Sequence, residues 1–292
     1  MNKDKKQLRE LLPHGEPDFP FFVHENIFIY NNGVFNPHWH NEFEILYLEK
    51  GRAKFYIDGK EFILTDNQFL FVNCGSIHSG EELEKTMAYA IVFDLRLLCS
   101  EEPDSCKHKF FVPLRDGKFL VPSFINDETL QRNVYKIIEI FKVKPYGYEL
   151  LIKALLYEIF WEIFNKYITK SSFSGELISK LEKIKDVLIY IDINYQKPIT
   201  LEELSEKANI SKFYLCRIFK DLLHMSPIEY INKVRVEKAT EFLRNTDMSI
   251  SDIAFECGFN NISYFIKVFK THMNITPLKY RKGLSLKENT NN

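Results

Sequence analysis

From residue 20 to about 95 the apolar positions fall in short aromatic and β-branched runs; from 127 onward they recur every three or four residues. The first regime predicts strands at Phe21-Phe22-Val23, Phe28-Ile29-Tyr30, Glu44-Ile45-Leu46-Tyr47-Leu48, Ala53-Lys54-Phe55-Tyr56-Ile57, Lys60-Glu61-Phe62-Ile63-Leu64, Gln68-Phe69-Leu70-Phe71-Val72 and Tyr89-Ala90-Ile91-Val92-Phe93. Gly51-Arg52, Asp58-Gly59 and Asp66-Asn67 separate them, and Asp58-Gly59 is the strongest hairpin signal because both positions tolerate positive φ. Short strands at this spacing predict a sandwich or small barrel.

Helical periodicity then covers 127–143 and 148–169, broken at Pro145-Tyr146-Gly147. The second helix is apolar nearly all round, with Leu151, Leu155, Ile159 and Ile163 on one side and Tyr157, Trp161, Phe164 and Ile168 on another. Such a helix needs two partners. The sheet domain is expected to cover one face and a second copy of the chain the other. Ser171-Ser172-Phe173-Ser174-Gly175 reads as a flexible junction, and the last residues as a frayed tail.

The C-terminal hundred residues are duplicated. Ser211-Lys212-Phe213-Tyr214-Leu215-Cys216-Arg217-Ile218-Phe219-Lys220 is echoed fifty positions later by Asn261-Ile262-Ser263-Tyr264-Phe265-Ile266-Lys267-Val268-Phe269-Lys270, and Ser226-Pro227 to Tyr230 by Thr276-Pro277 to Tyr280. Each copy predicts a helix-turn-helix. Thr200 with Glu203 forms a capping box before the stripe Leu201, Leu204, Ala208; Ser249 with Asp252 leads into Ile250, Ile253, Cys257. Asn209 or Gly258 supplies the turn, and Ser211 or Asn261 caps the next helix. In those second helices Tyr214, Leu215, Ile218 and Phe219, and their counterparts Tyr264, Phe265, Val268 and Phe269, are the predicted core face. The outer faces differ between copies, as two readers of different base pairs would. Arg217 offers a guanidinium fork suited to guanine, whereas Lys267 offers a point donor. Lys220 and Lys270 suit phosphates. Cys216 and Ile266 suit apolar contact, as with thymine methyls. Ile228 to Arg244 reads as one helix joining the readers, so that a single chain addresses major-groove segments ~34 Å apart.

Composition changes this picture little. The chain has 292 residues, is 45% hydrophobic and carries a net charge of −1. The average hides a split: residues 176–282 hold 17 Lys/Arg against 14 Asp/Glu, and residues 1–175 hold 21 against 25. Local placement of Lys212, Arg217, Lys220, Lys267 and Lys270 must therefore carry the attraction to phosphate. Five scattered cysteines suit a reducing compartment. Cys99, Cys106 and His108 make a weak zinc candidate, since no fourth ligand stands at usual spacing. The polar start Met1 to Lys6, with no long apolar run anywhere, predicts neither a signal peptide nor a membrane span.

Residues from about 180 to 282 resemble the DNA-binding domain of the AraC/XylS family of bacterial transcription regulators. The resemblance rests on Ile250-Ser251-Asp252-Ile253-Ala254-Phe255-Glu256-Cys257-Gly258-Phe259, Ser263-Tyr264-Phe265, Phe269-Lys270 and Thr276-Pro277-Leu278-Lys279-Tyr280-Arg281. It implies reading helices at 211–223 and 261–273, facing double-stranded promoter DNA through Ser211, Lys212, Phe213, Cys216, Arg217, Lys220, Asn261, Ile262, Ser263, Ile266, Lys267 and Lys270. It also implies a cytoplasmic homodimer formed through 148–169, and RNA polymerase as a further partner.

In the N-terminal half, His38-Trp39-His40, Glu44, Gly51 and His78 resemble the histidine-glutamate motifs of the cupin barrel, with Asn73 where a proline is usual. By that resemblance His38, His40, Glu44 and His78 meet inside the barrel, either holding a divalent metal or flooring a pocket for a small-molecule effector such as a sugar. Trp39, Tyr47, Phe55 and Tyr56 are the expected stacking residues. The expected fold is multidomain α+β: a cupin-like barrel (1–120), a helical linker and dimerisation hairpin (121–175), an all-α domain with two helix-turn-helix motifs (176–284) and a tail (285–292). The function expected is effector-controlled transcription regulation, with no required cofactor. A metal-dependent cupin enzyme carrying a DNA-binding appendage and a ligand-independent architectural binder remain as alternatives.

Overall fold

A computed structural model describes residues 14–28, 33–101, 103–168 and 175–288, the side chains of 175–179 and 283–288 excepted. The expected strand at Ile29-Tyr30, the polar start Met1 to Lys6, the junction Ser171 to Ser174 and the tail after Glu288 lie outside these residues. The described chain divides into two compact units between residues 181 and 182. That division falls within a helix, Gly175–Asn194, that runs past the expected boundary at 175.

The first unit is built on two long strands. β3 (Phe43–Ile57) and β6 (His78–Phe93) pair antiparallel along their length, and the register shifts between Leu48 and Ala53. Gly51 lies at the bend with φ of 100°; a Cβ there would sit 2.3 Å from the Lys85 carbonyl oxygen. Gly51-Arg52 is therefore a kink within one strand and not a turn between two. On one side of the bend β1 (Phe21–Glu25) pairs with β6 and β5 (Gln68–Val72) with β3. On the other, β2 (Val34–His38) pairs with β6 and β4 (Lys60–Leu64) with β3. Asp58 and Gly59, at φ of 49° and 80°, close the β3–β4 hairpin as expected.

Strand alternation sorts the side chains. Leu46, Leu48, Leu70, Val72, Ala90 and Val92 share one cluster with Ala53, Phe55, Ile57 and Leu64 from beyond the bend, so the two halves close on each other. The opposite face, with Phe43, Ile45, Tyr47, Phe71, Ile91 and Phe93, packs with α2 (Glu128–Val143) and α3 (Tyr148–Lys166). The short α1 (Val112–Arg115) precedes these two helices, and the break at 144–147, where Lys144 and Gly147 take φ of 47° and 77°, separates them. α3 buries Ile152, Leu155, Leu156, Ile159, Phe160 and Ile163. Its other side leaves Leu150 76%, Trp161 61% and Tyr157 41% exposed.

The second unit is helical: α4 (Gly175–Asn194), α5 (Leu201–Lys207), α6 (Lys212–Leu223), α7 (Pro227–Asn245), α8 (Ile250–Glu256), α9 (Ile262–Met273) and α10 (Pro277–Glu288). Among the described residues no helix is long and apolar enough to cross a membrane.

Candidate nucleic-acid interface and the histidine cluster

The duplication visible in the sequence recurs in backbone detail. Asn209 and Gly258 take φ of 51° and 82°. In both copies the same pair of C-terminal bonds follows: Asn209 N to Glu206 O and Ile210 N to Ser205 O, then Gly258 N to Phe255 O and Phe259 N to Ala254 O. The next helix starts on a side-chain cap, Ser211 accepting from Tyr214 N at 3.2 Å and Asn261 accepting from Tyr264 N at 2.9 Å. Both reading helices end on a left-handed residue, His224 or Asn274, at φ of 56° and 59°. Past each, an aromatic pair repeats: Phe219 with Tyr230 and Phe269 with Tyr280, ring centroids 5.8 Å apart in both.

Two local expectations are corrected. Thr200 caps α5 by accepting from Glu203 N, but Glu203's carboxylate takes the Tyr190 hydroxyl, so the reciprocal half of that capping box does not form. The complete box is Ser226 with Glu229, at the start of α7. Tyr264 is no core residue either. Its ring is 44% exposed, and its hydroxyl accepts a bond from Asn232. The other expected core positions are buried or half-buried, with Leu215, Ile218, Phe219, Phe265 and Phe269 fully inside.

The outer faces are open. On α6, Lys212, Phe213, Arg217 and Lys220 are exposed, Phe213 to 80%, while Cys216 is half-buried. On α9, Ser263, Ile266, Lys267 and Lys270 are exposed and Ile262 is half-buried. Lys212 pairs with Glu202, holding that carboxyl below its usual range. Arg217 lies 3.8 Å from Asp221, a surface contact worth little against a phosphate or base.

In the first unit, His38, His40 and His78 bring ring nitrogens within 4.8 Å of one another, the one such grouping of three or more metal-competent side chains among the described residues. Glu44 joins them: its Oε2 lies 3.1 Å from His40 Nε2 and 2.8 Å from His78 Nε2. Burial pushes the Glu44 carboxyl up, but the His78 charge and the His40 hydrogen bond outweigh it and hold the group well below its usual range. Burial, then His78, pushes His38 well below the usual histidine value. Two further histidines adjoin the cluster. His14 stacks edge-on to His40 at 5.7 Å and shares a 3.0 Å hydrogen bond with His24. Both lie outside the recognised motif and carry no spacing that would mark them. Asn73 clamps Val121, accepting from its N–H and donating to its carbonyl, both at 2.9 Å.

The expected stacking residues separate. Phe55 packs inside with Phe28 and Phe35, and Trp39 is buried. Tyr47 stands on the helix-covered face, its hydroxyl donating to Asn67 and pushed up to about 12 by burial. Tyr56 is half-buried opposite Phe55, bonded to Glu61. Cys99, Cys106 and His108 form no metal-competent grouping. A cleft of about 760 Å³ instead opens between the 14–24 segment and the 141–153 turn, lined by Glu16, Asp18, Phe22, His24, Tyr148 and Lys153 among others.

A folded sheet domain followed by two capped helix-turn-helix units defines a DNA-binding regulator with a ligand domain. Family models agree: an AraC-like ligand binding domain matches residues 27–160 and a helix-turn-helix domain residues 204–283. The chain belongs to the AraC family of transcription regulators. It is 27% identical to the uncharacterized HTH-type transcriptional regulator YdeC of Bacillus subtilis (strain 168), over 95% of this chain and 97% of that one. It is 37% identical to the probable transcription factor PqrA of Proteus vulgaris, over 34% of this chain and 84% of that one. The lactose operon transcription activator of Staphylococcus xylosus is 31% identical over 47% of this chain and 49% of its own. These families and relatives are regulators, not enzymes.

Proposed function

We propose that the chain is a cytoplasmic, homodimeric transcription activator that reads promoter DNA with α6 and α9 and responds to a saccharide-like effector. The observation carrying the DNA reading is the pair of exposed outer faces, Phe213, Arg217 and Lys220 against Ser263, Ile266, Lys267 and Lys270, on helices held by matching caps and turns. Arg217 reads a base edge, Phe213 and Ile266 supply apolar contact, and Lys220 and Lys270 position the phosphates. RNA polymerase is the partner an activator needs at its promoter.

Dimerisation uses the uncovered side of α3. Leu150, Ala154, Tyr157 and Trp161 lie four, three and four residues apart and are all exposed, the spacing of a seam between two helices. The effector seat is the cleft beside the histidines, where rings and both signs of charge stand together as a polyhydroxylated ligand requires; the activator named for the lactose operon supports this class. The test is a mobility-shift titration of the full chain on its own upstream promoter, with and without candidate sugars. Binding that Arg217→Ala weakens and a sugar shifts is expected. Promoter affinity equal to that for unrelated DNA would overturn the reading.

A further inference from the structure

We propose that the cleft of about 760 Å³ beside β1 takes a ligand carrying a free ammonium group, an amine-bearing saccharide, and that Lys144 holds the seat of that ammonium until the ligand displaces it. This rests on the reading of the cleft as the effector seat and adds the charge of its occupant.

The rings of the cleft are Phe22, Phe141 and Tyr148. Phe22 stands edge-on to Phe141 at 5.5 Å, and Phe141 edge-on to Tyr148 at 6.4 Å. Glu16, Asp18 and Glu149 supply carboxylates to the same lining, and Lys144 and Lys153 supply ammoniums. The arrangement of these charges decides what the cleft takes. Lys144 stands over rings: its Nζ lies 4.4 Å from the centre of Phe141 and 5.9 Å from that of Tyr148. The Tyr148 phenol registers the field there. Burial, then Glu149, Asp18 and Glu16, push it up, all in one direction, so negative potential dominates that end of the cleft. The ring faces add the negative side of their quadrupoles. Rings floored with carboxylates form a seat for a cation.

Lys144 is a weak tenant of that seat. Its backbone is fixed, with N bonded to the Ile140 carbonyl at 2.8 Å and φ at 47°, a conformation that glycine takes with less strain. Its side chain is exposed, so the ammonium can swing into water at the loss of a surface cation–π contact alone. A ligand ammonium takes its place while the rest of the ligand lays a face on Phe22 and hydroxyls on Glu149 and Lys153. An anionic ligand would instead have to settle among three carboxylates to reach two lysines.

The test is calorimetric titration of the full chain with four probes that share one ring: D-glucosamine, N-acetyl-D-glucosamine, D-glucose and D-glucuronate. Glucosamine should bind at least about 10-fold more tightly than the other three, the gain of one charge-assisted contact. Lys144→Ala removes the tethered competitor and should raise glucosamine affinity by about 2–5-fold, the strength of a surface cation–π contact, with glucose unchanged. Glu16→Gln combined with Asp18→Asn should bring glucosamine down to the glucose level. Glucose or N-acetylglucosamine binding as tightly as glucosamine overturns the ammonium seat and leaves the saccharide reading standing. So does a preference for glucuronate, or a Lys144→Ala variant whose glucosamine affinity is unchanged or weaker. The lysine side-chain analogue n-butylammonium separates the two readings from the other side. A higher Tm of Lys144→Ala in n-butylammonium than in equal Na+, with no sugar bound, keeps the cation seat and sinks the saccharide reading; no response to either amine overturns the proposal.

Discussion

Asn232 Nδ2 donates to the Tyr264 hydroxyl at 2.8 Å, so α7 holds the second reading helix by a side chain as well as by packing. The same helix is tied again one turn further on, where Arg235 donates through Nε to the Tyr195 carbonyl and through its terminal nitrogen to the Lys197 carbonyl, both at 2.8 Å. Asn232→Ala should cost about 1 kcal/mol of stability. It should also weaken promoter binding, while Tyr264→Phe reproduces most of the loss. Equal affinity in both variants, by fluorescence anisotropy on a promoter duplex, would show that α7 does not position α9.

Gly258 stands in a turn with no room for a side chain. A Cβ there would stand 2.5 Å from the Tyr195 carbonyl oxygen, at a φ of 82°. Gly258→Ala therefore adds a backbone clash to left-handed strain and should destabilise the second unit by about 1–3 kcal/mol. Asn209→Gly in the first copy should change stability by a few tenths, as its position already suits either residue. Chemical denaturation of both variants decides it; comparable midpoints would mean the turns are equivalent.

Trp161→Glu places a charge on the exposed seam of α3 without disturbing its buried side. Sedimentation velocity should show the dimer converted to monomer with the thermal midpoint of the chain nearly unchanged. A variant that stays dimeric would move the interface elsewhere.

Glu237 sets a pH dependence in the second unit. Burial, opposed by Lys233 and Lys238, pushes its carboxyl up to about 7. A folded-state value above the unfolded one means the folded form binds the extra proton. Its stabilising contribution is complete below the ordinary glutamate value and disappears as pH rises through about 7. Glu237→Gln should abolish this slope and be the more stable chain at pH 8. Parallel Tm profiles for wild type and Glu237→Gln between pH 5 and pH 8 would contradict it.

The helical half was legible because its signals are local: a cap, a left-handed residue and a three-or-four periodicity each sit within a few residues. Tyr264 escaped because the partner of its hydroxyl, Asn232, stands thirty-two positions away. The sheet was read less completely. The first part of β6 carries Ser79, Glu81, Glu82, Glu84 and Lys85, and charge concealed a strand that pairs with β2 and β3. Tyr47 was placed with Glu44, yet an odd separation of three along a strand puts the two on opposite faces. That error was avoidable from spacing alone. His14 and His24 were not, since only the fold brings them to His40.

The account centres on two reading helices seated in successive major-groove segments, and hydroxyl-radical footprinting with methylation interference on the native promoter tests it most directly. Two protected segments about one helical turn apart are predicted for each chain. Arg217→Ala should lose discrimination at one position of one segment, at ~1–3 kcal/mol, and leave the other segment intact. Protection confined to a single segment, or a pattern that Arg217→Ala and Lys267→Ala both leave unchanged, would contradict it.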